Sequence, residues 1–224
     1  MPEKDDNTSF AGDKKFGTSI FYAWDVKFRD YVVPKIPLWL EGYHLTLMTI
    51  PWCLIIVGAS YMAKSNVHWL WLVSLAIFLQ YVTDLLDGAL GRYRDTGTIK
   101  WGYYMDHFLD YMFLFSVLIG YALIMPDRYD YTIFFVMAIL GAFMVNSYLD
   151  FAVTNKFKQF FLYIGPTEIR LLFIIINTLI IYFGKTYMGR VLPFILAFSF
   201  VGLCLVVYKT QKMIWDMDMA AKKK

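Results

Sequence analysis

The chain has 224 residues, of which 59% are hydrophobic and 20% aromatic, with a formal net charge of +3. That is the composition of a membrane protein, and the length leaves no room for a second large domain. The small net charge excludes little by itself, but no nucleic-acid partner is expected, and the distribution of charge along the chain says more.

Residues 1–18 are polar, and the first nineteen carry no apolar core, so no cleavable signal pattern opens the chain. From Ser19 to Val33 the residues Phe21, Trp24, Phe28, Tyr31 and Val32 recur at helical spacing, with Asp25, Lys27, Arg29 and Asp30 between them. This pattern predicts an amphipathic helix lying in the membrane interface and ending before Pro34 and Pro37. Six apolar segments follow, at 45–63, 68–88, 103–125, 131–151, 168–184 and 189–208, each near the roughly 20 residues that cross a bilayer. The expected connectors are short at 64–67, 126–130 and 185–188, and longer at 89–102 and 152–167. With the N-terminus in the cytoplasm, only Lys64, Arg128, Lys185 and Arg190 of the 21 Lys and Arg fall outside, which is the positive-inside pattern. The expected organisation is a polar tail (1–18), an interfacial helix (19–37), a six-span domain (38–210) and a basic tail (211–224) attracted to anionic lipid. The expected fold class is therefore an all-α integral membrane protein with six transmembrane helices.

Little else in the chain carries chemistry outside one region. Cys53 and Cys204 lie in apolar segments far apart and read as inert thiols rather than a disulfide. Three histidines (His44, His68, His107) without metal-ligand spacing argue against zinc. No internal repeat or nucleophile elbow occurs, and Gly97 in R-D-T-G-T reads as a turn, not a phosphate cradle.

The exception is the run D-L-L-D-G-A-L-G-R from Asp84 to Arg92, then nine residues, then G-Y-Y-M-D-H-F-L-D from Gly102 to Asp110. Acidic groups at membrane depth cost about 2.5–3.5 kcal/mol each at a helix centre and usually mark function. Asp84 and Asp87 share a helix face, and Gly102, Asp106 and Asp110 form a stripe spaced four residues apart. Four close carboxylates repel one another unless cations neutralise them, and an all-oxygen site suits Mg²⁺, Mn²⁺ or Ca²⁺.

These residues resemble the signature of the CDP-alcohol phosphotransferases, D-x2-D-G-x2-A-R, seven or eight residues, then G-x3-D-x3-D. Asp84, Asp87, Gly88, Arg92, Gly102, Asp106 and Asp110 match it. Gly91 stands in place of the Ala, and the spacer of nine is one residue longer than usual. The family usually carries P-N-x-x-T at the start of the first span. Here Gly42 and Tyr43 depart from it, while Thr46 fits.

The resemblance implies a transferase of phospholipid synthesis. It would move a phosphate-linked group from a CDP-alcohol, either CDP-diacylglycerol or a CDP-amino-alcohol, to an acceptor hydroxyl, releasing CMP. Two divalent ions, Mg²⁺ or Mn²⁺, would be held by Asp84, Asp87, Asp106 and Asp110, with Asp110 also the candidate general base. Gly88 would let the nucleotide approach the backbone, Arg92 would pair with it, and Asp84 would share in holding the donor. A homodimer is expected by the same resemblance. The expected location is a bacterial inner membrane, with the active site on the cytoplasmic side.

His107 follows the third Asp as in the choline/ethanolamine branch. It reads either as a mark of donor type or as a side chain on another helix face, contacting a carbonyl or the interface. The loop after span four contains Lys156 and Lys158, then G-P-T-E-I-R, where Pro166 and a Thr167 N-cap account for the local sequence. Arg170 reads either as a phosphate-holding group of the acceptor site or as a positive-inside anchor. Asp150, with Asn146 one turn before it, is a second candidate for the acceptor pocket, and Asn177 is expected to make an interhelical hydrogen bond. Competing readings of the whole are a small cation transporter and a catalytically altered family member. Gly88 and Arg92 argue against the transporter, because an ion path gains nothing from an arginine beside its acids.

Overall fold

The computed structural model describes residues 21–96, 98–154 and 165–222, with residues 186–188 described by backbone alone. The tail 1–18, Gly97, Lys156 and Lys158 lie outside the described residues. Among those described, regular structure is helical throughout: α1 (Tyr22–Val32), α2 (Gly42–Leu47), α3 (Thr49–Met62), α4 (Leu70–Arg94), α5 (Ile99–Ile124), α6 (Asp130–Thr154), α7 (Pro166–Phe183) and α8 (Lys185–Ala221), with short 3-10 turns between some of them.

Six helical stretches are long and apolar enough to cross a membrane: Gly42–Met62, Val67–Arg94, Ile99–Ile124, Asp127–Thr154, Pro166–Phe183 and Gly189–Ala221. They coincide with the six apolar segments of the sequence. The first is α2 and α3 joined end to end through Met48. The chain is thus an all-helical, six-span membrane protein, as the run lengths require.

The expected long connector at 89–102 is the first correction. Helix α4 continues past residue 88 to Arg94, and α5 begins at Ile99, leaving only 95–98 between them. Asp95 ends α4 in the left-handed region (φ 51°), a conformation Asp tolerates better than most side chains. The amides of Asp95 and Thr96 close the last turn on the carbonyls of Arg92 and Gly91. The whole D-x2-D-G-x2-G-R run therefore sits on rigid helix. The second correction concerns the start of α7. Its N-cap is Gly165, with Pro166 at the first helical position and the Glu168 carboxylate accepting the Gly165 N–H at 2.9 Å, so Thr167 is not the cap. Third, residues 209–221 prolong α8 as helix. At about 1.5 Å per residue this helix outruns the roughly 30 Å hydrocarbon layer.

The main core lies between α3, α4, α5 and α7, built on Ile56, Leu70, Ile77, Val117, Phe173 and Ile180. Through its middle runs a buried polar layer. Asn177 donates to the Ser74 hydroxyl (3.1 Å), and the Tyr121 hydroxyl donates to Asn177 Oδ1 (3.0 Å). This is the expected interhelical bond, and it fixes α4, α5 and α7 in rotational register.

Helix α1 buries none of its residues and exposes Trp24, Phe28 and Tyr31, a surface suited to the headgroup region. It is tied to α4 by the Tyr81 hydroxyl, which donates to Asp25 Oδ1. Arg94 pins the linker after it, donating to the carbonyls of Ile36 (2.8 Å), Pro37 (3.0 Å) and Leu40 (2.7 Å). Cys53 and Cys204 are free thiols.

Candidate active site

Helices α4 and α5 both pack on α2 and α3, which bring the C-terminal half of α4 opposite the N-terminal half of α5. Asp84, Asp106 and Asp110 converge there, each offering a carboxylate oxygen within 4.8 Å of the others. The four-residue stripe on α5 has its counterpart face on α4. The nine-residue spacer does not displace it, because α4 runs on to Arg94 and α5 starts at Ile99, so most of the spacer is helix.

Asp87, one turn beyond Asp84, is buried and turned toward α2. Its Oδ2 accepts the Thr46 hydroxyl at 2.6 Å, and its Oδ1 accepts the Gly88 amide. Thr46 also leans on the Gly42 carbonyl (3.2 Å). An ionised carboxylate has about four acceptor sites, so two accepted bonds leave Asp87 able to serve a cation. The close approach of α2 depends on Gly42, where a Cβ would stand 2.7 Å from the Asp87 carbonyl oxygen. Of the two departures from the family pattern, Gly42 thus sits directly against the site and has a steric reason to be small, whereas Tyr43 is exposed and packs its ring edge-on to Trp101.

Arg170, from the first turns of α7, reaches the same point. It is level with the aspartates, as expected, but it is buried (4% exposed) rather than solvated. Its Nη2 lies 3.1 Å from Asp84 Oδ2 and 2.9 Å from Asp110 Oδ1, and its Nε donates to Gln80 Oε1 at 2.7 Å. The Phe113 ring underlies the guanidinium, 5.4 Å from its centroid. One cation thus lies against two of the three clustered acids. The Gln80 and Thr46 contacts are absent from the sequence reading of the site. Thr46 was legible as a family position, whereas Gln80 carried no signal beyond its place one turn before Asp84.

The Arg92 head folds back over Gly88, and a Cβ at Gly88 would stand 3.3 Å from Arg92 Nη1. At Gly102 a Cβ would meet nothing within 4 Å, so the face of α5 ahead of Asp106 is open. His107 is buried. Its Nδ1 is 3.3 Å from Asp106 Oδ2, its ring packs 4.2 Å from that of Tyr103, and its carbonyl accepts the Tyr148 hydroxyl. It therefore faces α6 rather than the membrane interface. Asp150 is buried on α6, where its carbonyl accepts the Thr154 hydroxyl at 2.7 Å. Asn146 turns away toward α8, donating to Thr210 at 3.4 Å.

The donor set fits a hard divalent cation. It consists only of carboxylate oxygens, and an octahedral ion with oxygens at about 2.1 Å spaces them by about 3–4.2 Å, so a small closure of the three acids suffices. The model of the CDP-alcohol phosphatidyltransferase family matches residues 43–208. The chain belongs to that family, whose members are membrane transferases of phosphate-linked groups from CDP-alcohols. No curated protein matches it.

Proposed function

We propose that this protein transfers a phosphate-linked group from CDP-diacylglycerol or a CDP-amino-alcohol to an acceptor hydroxyl, releasing CMP, in phospholipid synthesis. The observation that carries this reading is the convergence of Asp84, Asp106 and Asp110 on one point, with Gly88 and Arg92 on the same face of the donor helix. Asp84, Asp87, Asp106 and Asp110 would hold the divalent ions, Mg²⁺ or Mn²⁺ and two in number. When bound, such ions neutralise the pyrophosphate and stabilise the phosphate that leaves.

The chain's own residues do the rest. Arg92 would pair with the CDP phosphates over Gly88, whose missing side chain lets the nucleotide close on the α4 backbone. Asp110, a turn deeper than Asp106, would take the proton of the acceptor hydroxyl. The acceptor oxygen then bonds to the phosphorus of the transferred group, the pyrophosphate P–O bond breaks, and CMP leaves with those electrons. Thr46 would hold Asp87 in place throughout. Arg170 and Asp150 would line the acceptor side, the arginine meeting an acceptor phosphate or lipid headgroup. The positive-inside pattern supports a cytoplasmic site in a bacterial inner membrane, with the tail 1–18, interfacial helix 19–37, domain 38–210 and tail 211–224 as its parts. The family relationship supports a homodimer.

A guanidinium lodged between two acids is a poor element for a cation path, which favours this reading over a transporter. The test is incubation of the purified protein with a panel of CDP-alcohols and acceptors in the presence of Mg²⁺ or Mn²⁺, with CMP as the readout. CMP released only when donor and acceptor are both present supports the transfer. A protein that releases none with any pair overturns it.

A further inference from the structure

Gln80 is fully buried on α4, one turn before Asp84, and is placed to do more than fill space. Its Oε1 accepts the Arg170 Nε at 2.7 Å, while its Nε2 is buried without a hydrogen-bond partner among the described residues. Buried polar groups are ordinarily paired, and an amide half used at the centre of a bundle calls for an explanation. Packing alone would be served as well by leucine or methionine, which leave no donor unpaired.

The used half of the amide has a specific effect. A guanidinium is planar, so a bond to Nε sets the direction in which its Nη edge points. With Nε fixed by Gln80 and one face resting on Phe113, Nη2 stands between Asp84 Oδ2 (3.1 Å) and Asp110 Oδ1 (2.9 Å). Gln80 and Asp84 belong to α4, Asp110 and Phe113 to α5, and Arg170 to α7. One arginine thereby joins three helices at the site, and Gln80 fixes its orientation.

We propose that Gln80 is a positioning residue of the transferase site, acting through Arg170 to set the separation and orientation of the Asp84 and Asp110 carboxylates. The proposal rests on the reading of those two acids as metal- and substrate-binding groups. Without the Gln80 acceptor the guanidinium is free to rotate about its last bonds. Its contacts to the two carboxylates then loosen together, and the acids lose their common geometry.

The experiment compares Gln80→Leu, which removes the acceptor at similar size, with Gln80→Glu, which keeps an Oε1 acceptor at the same reach. Each full-length variant is purified in detergent and measured for Mn²⁺ affinity by electron paramagnetic resonance, for kcat and KM of CMP release, and for thermal stability. The expected result for Gln80→Leu is a Mn²⁺ affinity weakened about tenfold, in the range found for residues that orient metal ligands. Its kcat should fall and its KM for the CDP-alcohol should rise, since Asp84 also holds the donor, with Gln80→Glu close to wild type in both. Wild-type Mn²⁺ affinity and kcat in Gln80→Leu overturn the proposal. Equal losses in both variants overturn it too, because a loss indifferent to the acceptor oxygen is a packing effect. If Gln80→Leu does not fold, Gln80→Met replaces it. A fold that tolerates neither assigns Gln80 a structural role instead, and also overturns the proposal. Should the wild type release no CMP, the transferase reading fails, while Mn²⁺ affinity still tests Gln80.

Discussion

The Thr46 hydroxyl donates to Asp87 Oδ2 at 2.6 Å, across 41 positions of sequence and from the helix that opens the first span. Its effect is to orient a buried acid whose other oxygen accepts the Gly88 amide on its own helix. Thr46→Val preserves shape and removes only that donor. Hydrogen bonds to charged groups contribute about 1.5–3 kcal/mol, so turnover is expected to fall roughly 10- to 100-fold. Thr46→Ser should retain most of it. CMP release by the two variants side by side is the measurement, and a valine enzyme as fast as the serine one removes Thr46 from the site.

Gly42 makes that bond reachable. A Cβ there would lie 2.7 Å from the Asp87 carbonyl oxygen, a backbone atom that cannot swing aside. Gly42→Ala must therefore push α2 away from α4, lengthening the Thr46–Asp87 contact. Overpacking of this kind costs about 1–3 kcal/mol, so the variant should melt at lower temperature and lose turnover as Thr46→Val does. A variant with unchanged melting and unchanged turnover contradicts the close approach.

How much of this was legible in the sequence follows from the range of each interaction. The six spans came from run length, and the acid stripe from four-residue spacing on a helix. Both are local properties, and the helices carry them without change. The extent of α4 to Arg94 was not legible, because A-L-G-R-Y-R is as compatible with a loop as with a helix until Asp95 closes it. The Arg170–Gln80 bond spans 90 positions, and no pattern along either helix announces it. Arg170 could be placed level with the acids by topology. That it pairs with two of them depends on the rotation of α7, which Asn177 and Tyr121 fix from within the core.

Nucleotide binding should depend on Gly88 and Arg92 as a pair. A side chain at Gly88 would meet the Arg92 head, since even a Cβ would stand 3.3 Å from Nη1. Gly88→Leu then displaces the guanidinium, and Arg92→Ala deletes it. Each is expected to weaken CDP-alcohol binding by about tenfold or more, the effect of one charge-assisted bond, while Mn²⁺ affinity without nucleotide stays near wild type. Calorimetry with a non-reacting CDP-alcohol measures the first and paramagnetic resonance the second. Lost metal with intact nucleotide affinity reverses the two assignments.

Asp110 and Asp84 share the Arg170 Nη2, yet they should fail differently when neutralised. Asp84 stands beside Asp87, Gly88 and Arg92 on α4, so Asp84→Asn removes a charge from the surface that receives the donor, and both CDP-alcohol binding and turnover should fall. Asp110 lies one turn deeper on α5, beyond Asp106, where an acceptor hydroxyl would enter from the lipid. Asp110→Asn keeps the side-chain size and one coordinating oxygen but cannot accept the proton. Turnover should therefore drop by about 10²–10⁴, the usual range for a single acid–base group, with CDP-alcohol binding retained. The pair is compared at saturating Mg²⁺, with calorimetry for binding and CMP release for rate. If Asp110→Asn turns over at the wild-type rate, the proton goes elsewhere. The buried Asp150 on α6, or the acceptor's own phosphate, then becomes the group to neutralise next.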